Sequence, residues 1–181
     1  MITRFLLTLV ISLLLANTAL AQRDYLTPQE VDLVKEAQIL DKRIDVFIRA
    51  AERRLIVING PAAAAANAKQ LKKESERWGE LPTGSRTELV SDIARIIDAA
   101  IDNIDDVSLH DERSPLIAKS LRKLAASANS MMAQLKPLSA QAKSDAEIAS
   151  FEQLNEGVQS IMEAVTKLPP EVEKKAKKDK N

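Results

Sequence analysis

The residues best suited to chemistry are three aspartates and a histidine spaced four apart: Asp98, Asp102, Asp106 and His110. Residues four apart in an α-helix lie on the same face, so a helix through this segment would project all four side chains from one side. Carboxylate oxygens and an imidazole nitrogen in that arrangement could hold a divalent cation. The pattern predicts a candidate metal site, provided that the helix extends to His110.

The same four residues have a simpler interpretation as the outer face of an amphipathic helix. At about 100° per residue, they lie opposite the apolar positions Ile93, Ile97, Ala100 and Ile104. Charge on the outside of such a helix is expected, and like charges four apart repel mildly. A solvated acidic stripe is therefore favoured, with the metal site kept as the alternative.

A second charged segment is rich in arginine. Four arginines are interspersed with three acids between positions 41 and 54: Arg43, Arg49, Arg53, Arg54, Asp41, Asp45 and Glu52. Such a surface could meet an anionic partner. Ordinary surface ion pairing, including an i, i+4 pair between Asp45 and Arg49, is the favoured interpretation, and each such pair contributes about 0 to 1 kcal/mol.

Several classes of site lack their residues in this sequence. There is no cysteine and only one histidine, so neither a Cys-x-x-Cys-His haem attachment nor a di-iron site with two Glu-x-x-His motifs can be built. The sequence contains no Gly-x-Ser-x-Gly motif, no phosphate-binding loop and no dinucleotide fingerprint. We therefore expect a protein that is not an enzyme and that uses no cofactor.

The elements that must position these residues read as helices. A capping box over residues 27–30 opens an amphipathic pattern that continues to residues 59–61, which predicts one helix of about 30 residues. A five-alanine run at 62–66 begins a short helix that docks through Leu71 and Trp78 and ends near Gly79.

Three further helices follow in the second half of the chain. They are predicted to begin at Ser85, Ser114 and Ser144, and Pro137 should kink or end the second of them. The connections are short, so neighbouring helices should run antiparallel. The predicted fold is all-α: an antiparallel up-and-down bundle of four long amphipathic helices plus one short helix.

The first 21 residues read as a cleavable secretory signal peptide. A basic start is followed by an apolar run at 5–15 and by an Ala-x-Ala site at 19–21, and the apolar run is shorter than the roughly 20 residues of a membrane span. Cleavage would make Gln22 the first residue of the exported protein. An uncleaved N-terminal anchor is the alternative.

Composition limits what remains after cleavage. Residues 1–21 contain one charge, Arg4, so 25 basic and 26 acidic side chains are left, a net charge of −1. A nearly neutral chain has no large nucleic-acid footprint. Residues 22–170 suit one helical domain, and the lysine-rich tail at 171–181 is expected to be disordered.

These features lead to one functional expectation and one alternative. The first is an exported, non-enzymatic protein that acts as a binding or structural component of the periplasm or cell envelope, with an envelope protein as its partner and with homo-oligomerisation possible. It would have no membrane span after cleavage. The alternative is a periplasmic module that binds or senses a divalent cation through the acidic helix face.

Overall fold

A computed structural model of the chain describes residues 24–169, which form seven helices and no strand. The predictions for the signal peptide at 1–21 and for the tail at 171–181 fall outside this range. The helices are α1 (Pro28–Glu36), α2 (Leu40–Ile58), α3 (Gly60–Ala66), α4 (Ala68–Trp78), α5 (Arg86–His110), α6 (Pro115–Ser139) and α7 (Asp145–Thr166).

The first predicted helix begins as expected but is divided in two. Thr27 caps α1 with the predicted capping box to Glu30, whereas the backbone leaves helical geometry between Ala37 and Ile39 before α2 begins. In a continuous helix, residues 30 and 54 would be about 36 Å apart. The break instead lets α1 turn back, and Glu30 Oε2 lies 2.8 Å from Arg54 Nη2. The prediction of one helix of about 30 residues was therefore wrong.

The short predicted helix is also two. α2 ends before Asn59 and Gly60, as the sequence indicated, and Gly60 takes the left-handed φ of 79° that favours glycine. The alanine run forms α3, which buries no residue. A second break at Asn67, whose Nδ2 donates to the Ala63 carbonyl at 2.8 Å, separates it from α4. Trp78 is buried as predicted.

The last three helices begin where the sequence placed them. Ser85 forms a complete capping box with Glu88, and the Ser144 side chain accepts from the Glu147 backbone N–H. Ser114 precedes α6 without a capping hydrogen bond from its side chain. Pro137 lies inside α6, which ends two residues beyond it, so the proline marks the last turn of the helix.

One apolar core joins the helices. The most extensive helix contacts are those of α2 with α5 and of α5 with α7, followed by α7 with α6 and α2 with α6. α1 packs on α2 and α4. This packing is consistent with a helical bundle. Among residues 24–169, no helix is both long enough and apolar enough to cross a membrane. The fully buried apolar side chains include Ile44, Leu89, Ile93, Ile96, Ile97, Leu124, Leu135, Leu154 and Ile161.

Candidate functional site

The acidic face of α5 is only partly exposed to solvent. Asp98 is half-buried against α7, where its Oδ2 accepts a hydrogen bond of 3.0 Å from Gln153 Nε2. A Cβ placed on Gly157 would lie 3.3 Å from Asp98 Oδ1, which shows how closely the two helices approach there. Asp102 and Asp106 lie further along α5 and are exposed. Asp98, the first aspartate of the predicted metal set, therefore accepts a hydrogen bond from α7.

His110 is the last residue of α5, so the helix does extend as far as the metal prediction required. Its Nδ1 lies 2.7 Å from the backbone oxygen of Asp106 and 3.7 Å from Asp106 Oδ1. The two side chains are 77% and 73% exposed. Within residues 24–169, no three His, Cys, Asp or Glu side chains come together as a metal-ion group. The cation site stays a prediction, which calorimetric titration with calcium, zinc and copper would test.

Other charges of the arginine-rich segment form partly buried ion pairs, although not the Asp45–Arg49 pair that was predicted. Arg49 Nη2 lies 2.7 Å from Glu74 Oε2 on α4, and its Nη1 lies 3.1 Å from Glu52 Oε2. Asp45 Oδ1 instead lies 2.6 Å from Lys123 Nζ on α6. Arg49 thus pairs both along α2, with Glu52, and across to α4, whereas Asp45 joins α2 to α6.

Arg53 and Arg54 contradict the surface interpretation, because both are 1% exposed. They share the interior with two acids, Glu30 and Asp92, which are 0% and 4% exposed. We call Glu30, Arg53, Arg54 and Asp92 the buried charge cluster. Two positive and two negative side chains balance its formal charge, as buried ions require.

Arg54 is the centre of the buried charge cluster. Its Nη1 and Nη2 donate to Glu30 Oε1 and Oε2 at 2.9 and 2.8 Å, a bidentate fork. The same two nitrogens also donate to the backbone oxygens of Ala50 and Tyr25. Arg54 Nε lies 3.6 Å from Asp92 Oδ2, which is an ion pair but not a hydrogen bond. One side chain thereby joins α1, α2, α5 and the segment before α1.

Arg53 points towards the end of α4. Its Nη2 lies within hydrogen-bonding distance of the carbonyl oxygens of Trp78, Gly79 and Glu80, at 3.2, 3.1 and 2.5 Å. Its guanidinium carbon lies 5.6 Å from the centre of the Trp78 ring, a cation–π distance. Burial lowers the pKa of Arg53 below its ordinary value. The carbonyl oxygens at the end of α4 thus accept hydrogen bonds from the positively charged guanidinium of Arg53.

The sequence contains a signal for the buried charge cluster. Arg54 lies seven residues after Phe47 and four before Ile58, so it falls on the apolar stripe of α2. Asp92 lies three residues after Leu89 in the same way on α5. A charged residue at a stripe position indicates a buried charge that needs an opposite partner.

Two further ion pairs join helices at the edge of the core. Lys119 Nζ on α6 lies 2.5 Å from Asp41 Oδ2 on α2, and this hydrogen bond lowers the pKa of Asp41. Arg86 Nε on α5 lies 2.5 Å from Glu147 Oε1 on α7. That hydrogen bond lowers the pKa of Glu147. In both pairs the carboxylate is buried and the basic side chain reaches it from the surface.

The outer surface carries an open groove between α6 and α7, of about 640 Å³. Ile148 is 40% exposed there, and Met132 is half-buried. Lys136 and Glu152 bring opposite charges to the same groove. We call this the α6–α7 groove. The residues that line it are Asn129, Met132, Ala133, Lys136, Ser139, Ile148, Phe151, Glu152 and Asn155.

Comparison of the chain with protein-family models, with curated proteins and with solved structures finds no match in any of the three.

Proposed function

We propose that this chain is an exported, non-enzymatic helical protein that acts as a binding component of the periplasm or cell envelope. The α6–α7 groove is the observation that carries the proposal. The apolar side chains of Met132 and Ile148 line an open groove together with polar and charged residues such as Lys136 and Glu152. Exposed apolar surface with a polar rim is typical of a protein-binding surface.

The buried charge cluster supports a structural rather than a chemical use of the interior charges. The Arg54 fork is filled by Glu30, and Arg53 is directed to backbone carbonyls. These groups hold α1 and the end of α4 against α2. Binding therefore belongs to the outer surface of the helices.

We infer that α2, α5, α6 and α7 are the four long helices of a bundle, with α1, α3 and α4 added at its edge. For the pair α2 and α5, Arg43 Nη1 donates to Asn103 Oδ1 at 3.0 Å near one end. Near the other end, Arg54 meets Asp92. Since the numbers rise along α2 as they fall along α5, these contacts support an antiparallel pair.

Not every neighbour in the inferred bundle is antiparallel. Along α5 and α7, the contacts Arg86 with Glu147 and Asp98 with Gln153 rise together, which supports a parallel pair. The connection from α5 to α6 then crosses the bundle, in agreement with the smaller contact between these two helices. The bundle would have two helices in each direction, but its neighbours would not simply follow chain order.

The export part of the proposal is tested by N-terminal sequencing of the protein recovered from a fractionated cell. We expect it in the envelope or periplasmic fraction with Gln22 as its first residue. An Ala21→Leu variant, which removes the small residue of the cleavage site, should accumulate with Met1 retained. Wild-type protein found in the cytoplasm with Met1 would contradict export.

The binding part is tested by site-specific crosslinking in the native envelope. A photoreactive residue at Ala133, exposed in the α6–α7 groove, should capture a defined protein species. The same residue at Lys72, exposed on α4, is the matched control. Equal labelling from both positions would contradict a binding groove. A substrate turned over by the purified protein, with turnover lost in an Asp102→Ala, Asp106→Ala variant, would contradict a non-enzymatic role.

A further inference from the structure

We propose that the α6–α7 groove binds a second copy of this chain, so that the protein is a symmetric homodimer. The inference specifies the occupant of the groove used in the proposed function. It does not depend on export, because it rests only on the residues of α6 and α7. A two-fold dimer requires a surface that is complementary to itself, with each contact made twice.

The direction of α6 relative to α7 follows from contacts at their two ends. Residues 140–144 join α6 to α7. Far from that connection, Arg122 Nη2 near the start of α6 donates to the backbone oxygen of Pro169, just beyond α7. A short connection at one end and this contact at the other support an antiparallel pair.

The side chains of the groove lie at two matched levels along the two helices. Lys136 lies four residues before the connection and Ile148 four residues after it; Met132 and Glu152 are each eight residues away. Because both helices rise equally per residue, Lys136 is level with Ile148, and Met132 is level with Glu152. The basic residue and the acidic residue therefore stand at opposite corners of the groove.

This diagonal arrangement is complementary to itself. A two-fold axis that lies in the plane of the groove's opening, at right angles to the line from Lys136 to Glu152, turns this surface onto itself. It places Lys136 of each protomer opposite Glu152 of the other, and it brings Met132 near Met132 and Ile148 near Ile148 of the other protomer. Two ion pairs would then flank two apolar contacts. Both side chains are exposed, and among the ion pairs of residues 24–169 none involves Lys136 or Glu152.

Charge reversal tests the pairing with the protein in the form that accumulates in cells. Sedimentation over a concentration series should show a dimer for the wild type. Lys136→Glu and Glu152→Lys should each raise the dimer dissociation constant by about tenfold or more, since each creates two like-charge contacts.

Mixing the two variants is the decisive measurement. In a mixed dimer, position 136 of each chain meets an opposite charge at position 152 of the other, so an equimolar mixture should regain the wild-type dissociation constant. The matched control is Lys72→Glu with Glu76→Lys, exposed on α4, which should leave dimerisation unchanged. Circular dichroism of every variant checks that the fold is kept.

Two results would overturn the proposal. One is a wild-type protein that stays monomeric up to about 1 mM, the weakest association of interest. The other is a dimer that is insensitive to both reversals or is not restored by mixing, since its interface would lie elsewhere. A monomer crosslinked through Ala133 to a different protein would leave the binding role standing and remove only the second copy as its occupant.

Discussion

Arg54 shows how a single side chain can define the position of a whole segment. It lies on the apolar stripe of α2, and its four Nη hydrogens are directed to Glu30, Ala50 and Tyr25. Burying these charges costs several kcal/mol per ion before the partners compensate. Net stabilisation by the pair is therefore small, whereas the position of α1 is strongly specified, because only one placement of Glu30 completes the fork.

Removing one partner should expose that cost. Arg54→Ala removes the positive charge that pairs with the buried carboxylates of Glu30 and Asp92. We therefore expect the free energy of unfolding to fall by about 3–5 kcal/mol. Urea denaturation measures it. The control is Arg77→Ala, because the Arg77–Glu36 pair is exposed and should change stability by about 0–1 kcal/mol. Equal effects of the two substitutions would mean that the buried charge cluster has no special role.

Asp41 predicts a pH dependence with a definite sign. Its pKa in the folded state is lowered by the Lys119 hydrogen bond from an ordinary value of 3.8. Its stabilisation is thus fully present above the unfolded pKa and is lost as the pH falls through the lower folded pKa. Urea midpoints measured from pH 6 down to about 2 should decrease less steeply for Asp41→Asn than for the wild type. Parallel curves would contradict the assignment.

The starts of α5 and α6 offer a matched pair of serines. Ser85 accepts a capping hydrogen bond from Glu88 N–H at 3.3 Å, whereas the Ser114 side chain makes no capping bond. Ser85→Ala should therefore lower the free energy of unfolding by about 1 kcal/mol. Ser114→Ala should leave it nearly unchanged. Thermal denaturation of both variants measures these changes. A larger loss of stability for Ser114→Ala than for Ser85→Ala would contradict the cap assignment.

The helix starts were predictable because capping is local. Serine or threonine followed three residues later by glutamate identifies the start wherever it occurs, and this pattern located α1 and α5. The break between Ala37 and Ile39 has no such local signal. It is stabilised by the distant Glu30–Arg54 contact, and a stripe of apolar residues runs through it without interruption.

The candidate sites differ in the same way: a site within one helix was predictable from the sequence, and sites between two helices were not. The acidic face of α5 was visible because it depends only on four-residue spacing within one helix. That Asp98 would face Gln153 on α7 could not be foreseen without the packing of the two helices. The α6–α7 groove was missed for the same reason, since its residues come from two helices that the sequence alone does not align.

The helices of residues 24–169 share one apolar core, and no disulfide supports it because the sequence contains no cysteine. Trp78 on α4 belongs to that core together with Leu124 on α6. Although α3 buries nothing, α4 is attached through Trp78 and its Arg53 contact. The edge helices and the long helices should therefore unfold as one cooperative unit.

Trp78 makes this cooperativity measurable, because it is the only tryptophan in the sequence. Leu124 is fully buried, so Leu124→Ala should lower the free energy of unfolding by about 2–5 kcal/mol through lost burial and the cavity left behind. Leu109 is 85% exposed, and Leu109→Ala should change the free energy of unfolding by about 0.5 kcal/mol or less.

In urea, the transition followed by Trp78 fluorescence should coincide with the one followed by far-ultraviolet circular dichroism, and Leu124→Ala should shift both equally. A Trp78 transition at lower urea that is unmoved by Leu124→Ala would mean that α4 separates from the remaining helices before they unfold.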